Sequence, residues 1–262
     1  MGGLTVLSAL RAELPYESFL YLGDTARLPY GTKSATTVER YSLQIAQALL
    51  TRGVKALVVA CNTAASTALP AIRARFADLP LLGVIEPGAD AAIAATRSGR
   101  IAVLATEATV SGGAYQRAIS QRRPDAIVTA VACQLLVALA EEGWTDGLVA
   151  RSAVARYLSP LFGAQQPSRP DTLVLGCTHF PMLRGVLAQA VGPQVKIVDS
   201  AATTARAARS LLQARDLLST HRPSDGPGLR LLATDSAERF ASIGSRFLGQ
   251  AMVPADIEII DI

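Results

Sequence analysis

Apolar positions along the chain follow two alternating rhythms. Val38, Tyr41, Ile45 and Leu49 recur at three- and four-residue steps, the spacing of one buried stripe on a helix. Ser34 or Thr36 can cap its start, and Gly53 stands where the helix has to stop. "VKALVVA" (54–60) follows as a run apolar on both faces, as expected of a central parallel strand. The rhythm continues through "LLGVI" (81–85), "RIAVLA" (100–105), "AIVTAVA" (126–132), "DTLVLG" (171–176), "VKIVD" (195–199) and "LRLLAT" (229–234). Strand, helix, strand, repeated, predicts an α/β fold with parallel sheets covered by helices. "STHRPSDGPG" (219–228), rich in Pro, Gly and Ser, reads as a surface excursion and not a domain linker.

A faint internal repeat overlies this pattern. After Cys61 come a helix and "GVIEPGADAA" (83–92); after Cys177 come a helix and "KIVDSAATTA" (196–205). Each half reads apolar strand, Cys, polar residue, helix, second strand, acid, small-residue helix start. From cysteine to acid is 25 residues in the first half and 22 in the second.

Composition narrows the setting. A chain of 262 residues has room for two compact domains or one large one, and half of it is apolar. No apolar run approaches the roughly 20 residues a membrane helix needs. "MGGLTVLSAL" lacks the charged segment and cleavage site of a secretory signal, so a cytoplasmic location is expected. The net charge of +4 comes from 22 arginines and three lysines against 21 acids. The arginines are scattered, as at Arg73, Arg75, Arg97, Arg100 and Arg117, with no long run and no aromatic interleaving, so they read as solvated surface and nucleic-acid binding is not the expected function. Three cysteines with no CxxC spacing make no disulfide framework, and two histidines give little basis for a zinc site. Free thiols in a reducing compartment remain.

Two of those thiols carry the chemistry. "VVACNTAAS" and "LVLGCTHFP" each end an apolar strand on a cysteine followed by a polar pair. In open parallel sheets, ligands bind beyond the carboxyl ends of strands, where loops enter helices. A helix N-terminus behind each cysteine would offer free N–H groups, which suit a carboxylate and favour thiolate. One such cysteine alone reads as a small buried residue; a matched pair reads as function. Two like groups facing each other suit inversion of a carbon stereocentre, one removing a proton from one face while the other delivers a proton to the opposite face. No GxSxG, HExxH or P-loop is present. Lys33, Lys55 and Lys196 lie in no evident pyridoxal-binding context, so the expected mechanism uses no cofactor and no metal.

At these residues the chain resembles the bacterial glutamate racemase family, of the cofactor-independent aspartate/glutamate racemase superfamily. The resemblance runs nearly end to end through "GGLTVL", "YLGDTARLPYG", "VVACNTAAS", "GVIEPGA", "EEG", "LGCTHFP", "VDSA" and "RFLG". It implies interconversion of L- and D-glutamate, supplying D-glutamate for peptidoglycan. It also implies two pseudo-symmetric, doubly wound α/β domains with mainly parallel sheets and the active site between them. Residues 1–87 with 200–262 would form the first domain and 88–199 the second. Family members are commonly dimers, so a homodimer is implied; some also act on DNA gyrase, to which the modest charge here adds little. An aspartate or other amino-acid racemase, or a non-catalytic glutamate-binding protein, are the alternatives.

Carried over residue by residue, the resemblance makes Cys61 and Cys177 the two proton donor/acceptors. His179 would assist Cys177, and Glu141 of "EEG" would be the acidic helper on that side. Tyr30, Gly31, Asn62, Thr63, Thr178 and His179 would line the substrate site. His221 reads as solvated and Cys133 as structural. "ACQLLVALAEEG" departs from the family, which usually has prolines in place of Gln134 and Ala138, a change that could alter the backbone near Glu141.

The family also begins with a strand ending in Asp-Ser-Gly, ahead of "GGLTV", whose aspartate assists the first cysteine. Here "MGGLTV" opens the sequence. Missing that strand would expose neighbouring strand edges, and a thiol without a partner is a weaker base at neutral pH. Either the start is assigned too late, Met1 standing where the family commonly has valine, or the protein is shortened and weak. Intact site residues favour the first reading, which intact mass and N-terminal sequencing of the native protein would test.

Overall fold

The structure, a computed structural model, describes residues 1–163, 166, 168–221 and 228–262. Its strands are β1 (Phe19–Gly23), β2 (Leu57–Val59), β3 (Leu81–Gly83), β4 (Arg100–Ala105), β5 (Ile127–Ala132), β6 (Thr172–Gly176), β7 (Lys196–Asp199), β8 (Leu229–Ala233) and β9 (Ile257–Ile259). Every pairing between them is parallel. Residues 100–199 form one four-stranded sheet in the order β5-β4-β6-β7. The remaining strands form two pieces, β1-β8-β9 and β2-β3.

The helix Ala35–Leu50 is the one the apolar stripe predicts. The Ser34 hydroxyl accepts from the Thr37 N–H at 3.3 Å, and Gly53 ends the segment with φ +76°. Val38, Ser42, Ala46 and Leu49 are buried, whereas Tyr41 and Ile45 are only half-buried. Ser42 is tolerated inside because its hydroxyl donates to the Val38 carbonyl at 2.7 Å.

The run 54–60 is not a central strand. β2 is three residues long and pairs with β3 alone among the described residues. Leu57 packs into one apolar cluster, Val58 into another and Val59 against both, so both faces of the strand are covered. Apolarity on two faces reports helices above and below a strand; it says nothing about whether both edges are paired. β1 likewise pairs only with β8, and β1 and β2 line the same cavity.

The helix Gly3–Glu13 joins the cores. Leu4 and Leu7 enter one large apolar cluster, Val6 and Leu10 another, so the helix is covered on two sides. It packs on the helix Ser200–Ala214, which packs on the helix Ile85–Ala95, and the last lies against β6 and β7. Within the loop 219–228, residues 222–227 lie outside the described residues; His221 is exposed, with its Nδ1 2.8 Å from the Thr220 hydroxyl.

Candidate active site

Cys61 stands between β2 and the helix Asn62–Arg75, at that helix's N-cap position, and is half-buried. Asn62 and Thr63 behind it are buried, each 2% exposed. The Tyr115 hydroxyl donates to Asn62 Oδ1 at 2.8 Å, which fixes the amide with its NH2 turned the other way. That Nδ2 is buried without a protein partner. The Thr63 hydroxyl lies 2.9 Å from that of Thr106 and 3.2 Å from that of Thr109, closing a ring of three hydroxyls.

Cys177 follows β6 directly and is 5% exposed. The expected helix N-terminus behind it is replaced: a 3-10 turn, Phe180–Leu183, precedes the helix Arg184–Val191. Pro181 in that turn supplies no N–H to a regular first turn, which separates the thiol from the helix end. The backbone N–H and the ring of His179 take over instead. Cys177 Sγ lies 3.6 Å from His179 Nδ1, and His179 Nε2 lies 3.1 Å from Glu141 Oε1. Burial pushes the Cys177 thiol up to about 12, so its resting form is the neutral S–H. Burial also holds His179 below its ordinary value, opposed by Glu141. The His179 hydrogen bond keeps Glu141 below the usual carboxylate range. With Glu141 ionised, His179 Nε2 carries the ring proton and donates it, leaving the Nδ1 lone pair to accept from the thiol.

Glu141 reaches His179 from the last turn of the helix Gln134–Glu142. Gln134 and Ala138 both lie within that helix. The helix runs unbroken to Gly143, whose φ of +79° closes it, and the Trp144 N–H returns to the Leu139 carbonyl at 2.9 Å. Cys133, at the N-cap position, is fully buried and faces the Val131 carbonyl at 3.5 Å, as a structural cysteine would.

Tyr30 and Gly31 form a 3-10 turn against the opposite wall. The Tyr30 hydroxyl donates to Asp24, which also accepts from Arg27 Nε at 2.9 Å and from the Thr234 hydroxyl at 3.0 Å. Burial, then the Asp24 carboxylate, raises the Tyr30 phenol far above its ordinary range. Gly31 is pressed so closely on Thr106 that a Cβ there would lie 2.8 Å from the threonine's own Cβ.

Cys61, Cys177, Tyr30, Gly31, Asn62, Thr63, Thr178, His179 and Glu141 all line one cavity of about 290 Å³. Thr106 and Gln134 line it too; the sequence reading named neither as a site residue, and noted Gln134 only as a departure from the family. The same strand-end rule could have found them, for they follow β4 and, one residue on, β5. Tyr115 acts from behind Asn62, and no sequence signal marks it. Among the described residues no group of three or more His, Cys, Asp or Glu side chains converges as a metal site would. What converges is a pair of thiols from different sheets, one tied to a His–carboxylate pair, beside small hydroxyl and amide groups: equipment for moving protons and holding a small polar molecule.

A profile described as Asp/Glu/Hydantoin racemase matches residues 5–208. A glutamate racemase of Geobacter metallireducens is 48% identical over 250 residues, covering 95% of this chain and 90% of its relative. A glutamate racemase isoform of Bacillus anthracis superposes with a TM-score of 0.91 at 35% identity, covering 100% of this chain and 94% of the other. One from Francisella tularensis, solved in complex with D-glutamate, has a TM-score of 0.89 at 32% identity, covering 99% and 94%.

Proposed function

The chain belongs to the Asp/Glu/hydantoin racemase family, and from that premise we propose that it interconverts L- and D-glutamate, supplying D-glutamate for peptidoglycan. It is an isomerase, and the two facing thiols are its acid and base. The observation that carries this reading is the meeting of Cys61 and Cys177, from the split sheet and the four-stranded sheet, on a single cavity.

In one direction His179 Nδ1 takes the Cys177 proton, and the thiolate removes the α-hydrogen of glutamate as a proton. The Cys61 S–H delivers a proton to the opposite face of the same carbon. In the other direction Cys61 is the base and Cys177, which burial keeps protonated at rest, is the acid. No net oxidation occurs and no group leaves. Glu141 orients His179 and stabilises its charged form. Asn62, Thr63, Thr178, Tyr30 and Gly31 hold the substrate.

The same reading divides the chain into a domain of residues 1–87 with 200–262 and a domain of 88–199, supported by the confinement of the four-stranded sheet to 100–199. A homodimer and a cytoplasmic location belong to the proposal. No described helix is long and apolar enough to cross a membrane.

The test is exchange of the glutamate α-hydrogen for deuterium in heavy water without pyridoxal phosphate. Exchange and racemisation by the unmodified protein, abolished in Cys61→Ser and in Cys177→Ser, are the expected results. Glutamate binding without exchange would leave a binding protein and defeat the racemase.

A further inference from the structure

The block "RFLG" (246–249) supplies no side chain to the cavity, yet it lies beside the His179–Glu141 pair. Its first three residues close the helix Ala237–Leu248, which follows β8. That helix is anchored on the β1-β8-β9 side of the molecule. Phe240 is fully buried and stacks on Tyr21 of β1, with ring centroids 6.1 Å apart. Gly244 is so close to Leu4 that a Cβ there would come within 2.9 Å of Leu4 Cδ1. His179 and Glu141 belong to the other sheet, following β6 and β5. The helix therefore reaches from one sheet to the His–Glu pair of the other.

Two consecutive residues make the contact. Phe247, 3% exposed, meets the His179 ring edge to face, with centroids 5.1 Å apart and planes at 77°. Arg246 meets the end of the helix Gln134–Glu142. There the Trp144 and Gly143 N–H groups return to the Leu139 and Ala140 carbonyls, and the next carbonyl, that of Glu141, accepts from Arg246 Nη2. The guanidinium also lies along Gly143, where a Cβ would be 3.5 Å from Arg246 Nε. A carboxylate in the last turn of a helix faces the negative end of the helix dipole, an unfavourable place that a cation relieves. The hydrogen bond from His179 is the chief cause that holds the Glu141 carboxyl low, and the charge of Arg239 adds to it. Seven positions apart, Arg239 and Arg246 share one face of their helix.

We propose that Arg246 is a positioning residue for the proton step at Cys177: by holding the Glu141 carbonyl it fixes where the Glu141 carboxylate meets His179, while Phe247 limits the tilt of the ring. Arg246 does not line the cavity, so it touches no substrate and carries no proton. The role rests on the racemase reading for the reaction, and on the Arg246 contact for the geometry. It makes the alignment of Glu141 depend on a residue 105 positions away in the chain.

Turnover and the His179 tautomer are read together in the wild-type protein, Arg246→Ala, Arg246→Lys, Glu141→Gln and the double variant of Arg246→Ala with Glu141→Gln. Arg246 is exposed, so alanine, a good helix former, should leave the fold intact. In Arg246→Ala, kcat for glutamate racemisation should fall roughly five- to tenfold while KM stays within about twofold, and Arg246→Lys should recover much of the loss. The substrate α-deuterium isotope effect should rise in the same direction of reaction as in His179→Asn. Because Arg246 acts through Glu141, its removal should cost no more than about twofold once Glu141→Gln is present. With two histidines in the chain, the ring nitrogen NMR signals are assignable, His179→Asn marking those of His221. Wild-type His179 should hold its proton on Nε2, and Arg246→Ala should mix the tautomers. In an active protein, an unchanged kcat, or a loss fully additive with Glu141→Gln, overturns the proposal. In a protein that exchanges no α-hydrogen the racemase reading fails, and the tautomer alone decides: mixing in Arg246→Ala keeps the positioning role, and no change removes it.

Discussion

The two thiols occupy like places after two strands, yet their surroundings differ. Cys61 is half-exposed at a helix N-terminus, and among the described residues no side chain hydrogen-bonds its sulfur. Cys177 is buried, is pushed to about 12, and has a His–Glu pair at its side. A topological repeat thus fixes where a group stands and leaves its proton affinity to the neighbours. The sheets differ in the same way. Behind Cys177, β6 is bonded on both sides, by β4 and β7; beside Cys61, β2 is bonded on one.

The largest expected effect breaks the comparison altogether. Removing either sulfur, as Cys61→Ser or Cys177→Ser, should lower racemisation by on the order of a hundred- to ten-thousandfold, because each face of the carbon needs its own proton carrier. Similar losses from both would show that unlike environments serve equal roles; survival of either variant at near wild-type rate would remove that thiol from the reaction.

His179→Asn should cost roughly a hundredfold and Glu141→Gln roughly tenfold, in line with a positioned base and its orienting partner. Enantiomers have equal free energies, so kcat/KM must fall alike in both directions. The asymmetry should surface in the substrate α-deuterium isotope effect, rising only in the direction in which Cys177 abstracts the proton. An equal rise in both directions would show that His179 is not specific to one face.

Stability should also depend on pH. Cys177 and the structural Cys133 are both raised by burial from 9.0 to about 12. The folded state then keeps protons that the unfolded chain releases, so stability is full below about pH 9 and is lost as pH rises toward 12. Alkaline unfolding of Cys133→Ala should be less steep than that of the wild type. Burial lowers His179, so the unfolded chain binds its proton first and stability is lost as pH falls below 6.5; His179→Asn should flatten that limb.

The smallest effect concerns the sheets. Amides of β1 and β2 should exchange with solvent deuterium faster than those of β4 and β6, which are bonded on both sides. Equal protection would mean that the free edges of β1 and β2 are covered in solution.

Much of the architecture was legible in the chain. Buried strands in the four-stranded sheet carry continuous apolar runs, and "RIAVLA" coincides with β4 residue for residue. β9 was not legible: three residues, two of them exposed, become a strand only because β8 offers an edge. β1 was passed over as well, since Phe19 to Leu22 are only half-buried and give no strong period. Cys61, Cys177 and their polar neighbours were readable because strand ends are where parallel sheets present side chains. Thr106 and Gln134 obey the same rule without a reactive atom to draw notice, and Tyr115 acts only through Asn62, 53 positions away.

The sequence by itself determined the alternation of strand and helix, the pairing of two cysteines with polar partners, and the family, because local periodicity and residue type are properties of short segments. The tertiary structure alone decided that His179 reaches both Cys177 and Glu141, that β2 has one partner, and that Asn62 and Gln134 keep unpaired polar atoms in the cavity wall. These depend on distances between segments far apart in the chain, and hydrogen bonding and burial respond to distance, not to order along the backbone.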